Sequence, residues 1–366
     1  MNRIGRQAAL ALLATTLLAS LLASPVAAAE PSFTAGVVQS GLTVPWDIAF
    51  VPDGRMIVTE RPGRVRVYAD GNRNAALLRT TTIASVRAEG EAGLMGVAVD
   101  PDFSTRPYLY LCASRQVDGT WRNQVLRYRL LGDSTLSFDG YVIRWNMIAA
   151  AVHNGCAVEI GPDRMVYVSM GDAAQAGLAQ DSASNNGKVL RAKRNGGIPA
   201  DNPVFPGQTT PSYVWSKGHR NPQGLAFEPG TGRLYAIEHG PDRDDEINWI
   251  RAGRNYGWPD CAGSGCGFTP PIWESNSPTI ATSGGAFVSG GNWGDASGDL
   301  FVATLKEQDL RRFDVSADSL SATNVATLYD GAYGRLRAVA RLGNRLYLST
   351  SNGSEDRIVR IISTTP

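Results

Sequence analysis

The sequence predicts an all-β protein, a six-bladed β-propeller whose last blade takes its outer strand from the N-terminal segment. Three observations carry this expectation. One two-run unit recurs six times, a further strand-like run follows each copy, and no long segment after the N-terminus has a helical apolar period. A single copy has exposed sheet edges and too little core. Six copies arranged radially bury their faces against one another.

The copies follow in order. WDIAFVPDGRMIVTE starts at Trp46, and RVRVYAD comes after it. GLMGVAVDPDFSTRPYLYLCA starts at Gly93, followed by QVLRYRL; GCAVEIGPDRMVYVSMGD starts at Gly155, followed by KVLRAK. QGLAFEPGTGRLYAIEHG from Gln223 leads into EINWI, and GGAFVSGGNWGDASGDLFVATL from Gly284 into DLRRFDV. RAVARLGNRLYLSTSNG from Arg337 leads into RIVRI, where the repeat ends one strand short. The run at 33–38 is expected to complete that blade and close the ring. A seven-bladed ring with one degenerate blade and a pair of β-sandwiches are the alternatives.

The first residues read as a secretory leader. Arg3 and Arg6 precede an apolar run at 8–23, and Ala27, Ala28 and Ala29 offer a small-residue cleavage site. A signal peptide at 1–29 and one catalytic domain at 30–366 are therefore expected, with a periplasmic or secreted address. The run is shorter than the roughly 20 apolar residues a membrane anchor needs, so no stable membrane insertion is expected. The chain carries 35 basic and 34 acidic side chains, a formal +1 that becomes −1 without Arg3 and Arg6. Such a balance excludes a typical nucleic-acid binder. Export permits disulfides. Cys261 and Cys266 are expected to close a small loop, whereas Cys112 and Cys156 could be bridged or remain two buried thiols.

Propeller geometry says which residues meet. Positions just before the innermost strand and just after the second strand crowd one mouth of the central channel. The first class holds Glu91, His153, Arg220, Arg335 and Arg337. The second holds Arg61, Arg115, Asp172, His239, Gly240, Pro241 and Lys306. Taken singly, each is an ordinary polar loop residue. As a set they suggest a pocket rich in cations.

These segments resemble the soluble quinoprotein sugar dehydrogenases of the glucose/sorbosone dehydrogenase family. RNPQG, EHGP, DEIN and NYGWP occur here in that order, together with HNG before the third unit and GRLRAV near the C-terminus. The resemblance covers residues 33–362 and implies a propeller enzyme that uses pyrroloquinoline quinone (PQQ) with Ca²⁺. It implies a catalytic base at His153 and cofactor contacts at Glu91, Arg220, Asn221, Lys306, Arg335 and Arg337. It places cofactor-bound calcium on the carbonyls of Gly240 and Pro241, and a structural calcium near Glu246 and Tyr256.

The residue types suit that chemistry. Arg forks and a Lys match the carboxylates of a flat tricarboxylate quinone. Calcium takes oxygen ligands, and an imidazole is a base whose ordinary pKa lies near neutrality. The expected reaction is oxidation of an aldose at C1 to an aldonolactone, with electrons passed to an external acceptor by a monomer or homodimer. A calcium-dependent lactonase and a non-catalytic binding propeller are the competing readings. Three departures bear on substrate. Glu91 stands where the family's glucose enzymes often have Gln, Val152 where they can have Asp, and the aromatic residues expected near Pro278 and Thr279 are missing.

Overall fold

The structure is a computed structural model that describes residues 32–364; the leader expected at 1–29 lies outside the described residues. Six four-stranded antiparallel sheets form the described chain. Blade one runs β2 (Pro45–Phe50), β3 (Met56–Glu60), β4 (Arg64–Tyr68) and β5 (Leu77–Thr82). Blade two is β6 (Leu94–Val99), β7 (Tyr108–Val117), β8 (Thr120–Leu130) and β9 (Leu136–Ile143). Blade three is β10 (Gly155–Ile160), β11 (Val166–Met170), β12 (Lys188–Ala192) and β13 (Val214–Lys217). Blade four is β14 (Pro222–Phe227), β15 (Leu234–Glu238), β16 (Glu246–Ile250) and β17 (Trp273–Glu274). Blade five is β18 (Thr282–Phe287), β19 (Leu300–Thr304), β20 (Leu310–Val315) and β21 (Ala322–Leu328).

Blade six closes the ring as expected. Its strands β22 (Leu336–Leu342), β23 (Arg345–Thr350) and β24 (Asp356–Ser363) are completed by β1 (Phe33–Leu42), which pairs with β24 from Phe33↔Ser363 to Leu42↔Asp356. Buried Asp356 latches the closure: it accepts from Val44 N at 3.0 Å, Thr350 Oγ1 at 2.7 Å and Asn352 N at 2.7 Å. Leaving such buried donors unpaired would cost about 1–3 kcal/mol each.

Burial falls with radius, because inner strands face neighbouring blades and outer strands face water. In β3 every residue of Met-Ile-Val-Thr-Glu is buried, while β5 on the rim of the same blade is almost wholly exposed. Inner strands pack so closely around the axis that some positions admit no side chain. A Cβ at Gly224 would lie 2.3 Å from the Ser283 carbonyl oxygen, and one at Gly96 would lie 2.4 Å from that of Cys156.

One irregularity recurs in all six blades. Pairing between the innermost and second strands slips near its start, as between Pro45 and Asp47, Gly155 and Val158, and Pro222 and Gly224. A bulge there bends the strand and re-aims the residues that enter it. Those residues line the mouth.

Both cysteine pairs are bridged. Cys112–Cys156 ties β7 to the inner strand β10 across two blades, and Cys261–Cys266 closes a loop between β16 and β17. No helix among the described residues is long and apolar enough to cross a membrane.

Candidate active site at the channel mouth

His153 enters β10 with φ +57°, and Ala173 and Ala174, just beyond β11, have φ +54° and +57°. Such left-handed residues cost of order 1–2 kcal/mol each and persist only where neighbours hold them. Here the holding groups are visible. His153 N donates to Glu91 Oε2 at 2.9 Å, its carbonyl accepts from Ala173 N at 3.0 Å, and its Nδ1 lies 2.8 Å from Asp172 Oδ1. Asp172 also accepts from Ala174 N at 2.8 Å and from Trp258 Nε1 at 2.8 Å. The Asp172 side chain is 1% exposed and that of His153 17%. A carboxylate on Nδ1 favours the tautomer with the proton there, which leaves the Nε2 lone pair free at the mouth.

Glu91 ties several blades together. Besides His153 N, its Oε2 accepts from Asn221 Nδ2 at 3.2 Å and Gln223 Nε2 at 3.3 Å. Gln223 in turn accepts from Arg337 Nη1 at 2.8 Å, and Asn221 accepts from Gly155 N at 3.0 Å. The structure thus joins Glu91, His153, Asn221 and Arg337 in one network. It leaves the exposed side chains of Arg335 and Lys306 at the rim.

Arg337 is a buried cation and Arg220 a half-buried one, and burial pulls both below the usual guanidinium range, Arg337 to about 10. The Arg337 guanidinium lies 5.5 Å from the Trp46 ring centre, and that of Arg220 lies 5.4 Å from the Trp258 ring. Arg220 Nη1 donates to the His239 carbonyl at 3.2 Å, yet its Nε is buried without a partner. Nε of Arg61 and Nε2 of His239 are likewise buried and unpaired, and burial holds the His239 ring below its ordinary pKa. Unpaired buried donors around an open mouth fit an anionic, acceptor-rich ligand such as a quinone tricarboxylate.

Next to them, the carbonyls of Gly240 and Pro241 accept no hydrogen bond among the described residues and are available to a cation. Gly240 N donates to Asp245 Oδ1 at 2.9 Å, while Asp245 Oδ2 accepts from Ile280 N and Ala281 N, both at 2.6 Å. The acidic run at 242–246 is therefore partly a backbone staple between blades four and five. Glu246 and Tyr256 line one small recess with Glu238, Gly240 and Pro241. Glu246 accepts from Gly263 N and Asn248 Nδ2, and burial pushes it up to about 8. The Tyr256 hydroxyl donates to the Trp249 carbonyl and accepts from Arg251 N. Among the described residues no group of three or more His, Cys, Asp or Glu is arranged to hold a metal, so a cation here depends on backbone carbonyls.

One expected member of the mouth is elsewhere. β7 continues to Val117, so Arg115 still lies within a strand and bonds Gln124 Oε1 at 2.8 Å and the Ala84 carbonyl at 2.9 Å. The expected excess of cations is offset by Asp172, Glu238 and Asp245. Sequence reasoning placed Asp172 at the mouth without seeing its bond to His153, and it passed over Trp258, Gln223 and Glu238. The available signal was positional: Glu238 ends the second strand of its copy as Glu60 ends that of the first, and Asp172 lies two residues past the end of β11.

Fold and site together define a propeller with an oriented histidine and unpaired cationic groups around a channel mouth, a class suited to acting on a small molecule beside an anionic cofactor. The profile of the glucose/sorbosone dehydrogenase family matches residues 42–360, and the chain belongs to that family. It is 30% identical to an aldose sugar dehydrogenase of Escherichia coli over 321 residues, 82% of this chain and 85% of that one. It is 34% identical to quinoprotein glucose dehydrogenase B of Acinetobacter calcoaceticus over 263 residues, 64% of this chain and 54% of that one. Among solved structures, the PQQ-bound aldose sugar dehydrogenase of Streptomyces coelicolor superposes with a TM-score of 0.77 at 31% identity, covering 91% of this chain and 98% of that one.

Proposed function

We propose that the protein is an exported, PQQ- and Ca²⁺-dependent dehydrogenase that oxidises the C1 hydroxyl of aldoses to aldonolactones and passes electrons to an external acceptor. One observation carries the reading: His153 is oriented by Asp172 with Nε2 open to a mouth where Arg220 and Arg61 keep unpaired donors. When bound, PQQ supplies a quinone that accepts the hydride from carbon, and Ca²⁺ makes that quinone a better acceptor. His153 Nε2 takes the hydroxyl proton, and Asp172 stabilises the imidazolium that forms. Arg220, Asn221, Lys306, Arg335 and Arg337 hold the cofactor, with Glu91 positioning His153 and Asn221 around it. Carbonyls of Gly240 and Pro241 would hold the cofactor's calcium, and Glu246 and Tyr256 would serve a second, structural one.

The leader-like residues at 1–29 and the two disulfides support a periplasmic or secreted address. A lactonase would need several side-chain carboxylates converging on one ion. At this mouth Glu91, Asp172, Glu238 and Asp245 are each committed to N–H donors. The test is a dye-linked aldose assay on protein stripped with chelator, then supplied with PQQ and Ca²⁺ separately and together. Activity only with both supports the reading, and full activity in calcium-free protein overturns the metal's part in it.

A further inference from the structure

Trp258 lies in the long connection between β16 and β17, far from His153 in sequence, yet it touches both halves of the site. Its Nε1 donates to the Asp172 oxygen that His153 does not use, at 2.8 Å. The face of its ring carries the Arg220 guanidinium at 5.4 Å. The main chain joins the same two residues, since Asp172 N donates to the Arg220 carbonyl at 2.8 Å. The Asp172 oxygen on the histidine is also held by Ala174 N at 2.8 Å, whereas the other oxygen has no donor besides the indole among the described residues and would be free to swing without it. The indole N–H fixes that second oxygen, because it requires it to point at blade four.

We propose that Trp258 is a positioning residue of the reaction: its N–H locks Asp172, and so the His153 ring, while its face holds Arg220 at the cofactor's edge. The inference rests on the reading of the site as a quinoprotein dehydrogenase, and it adds a link between the base and the cofactor-binding arginine. The side chain is free to serve this role because the backbone is anchored without it. Trp258 N donates to the Gly218 carbonyl at 3.0 Å, and the Trp258 carbonyl accepts from Gln180 Nε2 at 2.6 Å. Gln180 is held in turn by Asn255, whose Nδ2 donates to it at 2.8 Å. Replacing the indole therefore leaves the loop in place.

Two variants separate the functions of the ring. Trp258→Phe keeps an aromatic face for Arg220 and deletes the donor to Asp172. Trp258→Leu deletes both. The readout independent of turnover is the ¹⁵N shift of the His153 ring, accessible because the chain has only three histidines. Wild type should show the single tautomer with the proton on Nδ1, and Trp258→Phe a mixture of tautomers. In single-turnover oxidation of an aldose, Trp258→Phe should lower the limiting rate about tenfold, equivalent to about 1.4 kcal/mol of barrier, with the half-saturating sugar concentration unchanged. PQQ titration should be unaltered in Trp258→Phe and weakened roughly two- to fivefold in Trp258→Leu, the size of a partly exposed cation–π contact. An unchanged tautomer and rate in Trp258→Phe overturns the lock, and equal PQQ affinity in all three proteins overturns the hold on Arg220. Should wild type neither bind PQQ nor oxidise an aldose, the functional reading fails, and the tautomer comparison still decides whether Trp258 orients His153.

Discussion

The same six inner strands build both ends of the propeller axis, and the two ends treat charge in opposite ways. At the His153 mouth, Glu91 accepts three N–H donors and Asp172 accepts from a histidine, an indole and a backbone amide. Further down the channel, Asp47 and Glu159 face a cavity lined by Ile48, Phe50, Leu225 and Phe287. Asp47 has the Ile48 and Val97 amides at 2.8 and 2.9 Å, and burial still pushes it up to about 7. Glu159 is pushed up to about 8 by burial and by the negative charge of Asp47. The lesson is that donor supply differs between the two ends. At the mouth, loops and strand starts bring several N–H groups to each carboxylate. Below it, burial drives Asp47 and Glu159 toward their neutral forms, and the two amides on Asp47 do not offset it.

That contrast can be broken most strongly at the mouth. His153→Ala should leave the fold and PQQ binding intact and lower single-turnover reduction of bound PQQ by roughly 10²–10⁴, the usual worth of a positioned base. Equal rates in variant and wild type would remove His153 from the chemistry. Next in size, Arg220→Ala and Arg337→Ala should each weaken PQQ binding by about 1.5–3 kcal/mol, the range for a hydrogen bond to a charged group. Titration by fluorescence quenching checks this, and unchanged affinity in both variants would sink the clamp.

The smallest effects belong to the lower channel, where the readout is stability. Asp47 and Glu159 have folded values above their ordinary 3.8 and 4.5. The folded state therefore binds more protons than the unfolded one between about pH 4 and pH 8. Their contribution is fully present below pH 4 and is lost as pH rises through 7 to 8. Denaturant midpoints should fall across that interval in wild type. Asp47→Asn and Glu159→Gln should flatten the fall without changing PQQ affinity. A wild-type profile that rises from pH 5 to 8 would mean these carboxylates are solvated after all.

Reducing the Cys112–Cys156 bridge tests whether the mouth depends on the ring around it. Chain-entropy arguments put its worth at about 2–4 kcal/mol. The Cys112→Ser, Cys156→Ser double variant should melt earlier while retaining PQQ affinity. Loss of affinity at a temperature where it is still folded would show that the bridge also shapes the site beside Cys156.

Blade number, strand order and ring closure were legible in the sequence because each copy carries its own apolar runs and turn residues. The repeat even announced its missing strand, which 33–38 supplies. His153, Arg220 and Arg337 were legible for a related reason: propeller topology sends the same repeat position to the same mouth. What no repeat position encodes is the pairing among those residues. Asp172 lies 19 residues beyond His153 and Trp258 a further 86 along, and they meet only because blades three and four pack side by side. The disulfide between Cys112 and Cys156 was open for the same reason, since it needs the register of two neighbouring blades. Local chemistry, a period of two and turn propensities set the strands, and those forces act within a few residues. Which oxygen faces which nitrogen at the mouth is set by the bulges and by the close packing of glycine-bearing inner strands. Those distances exist only once the ring has closed.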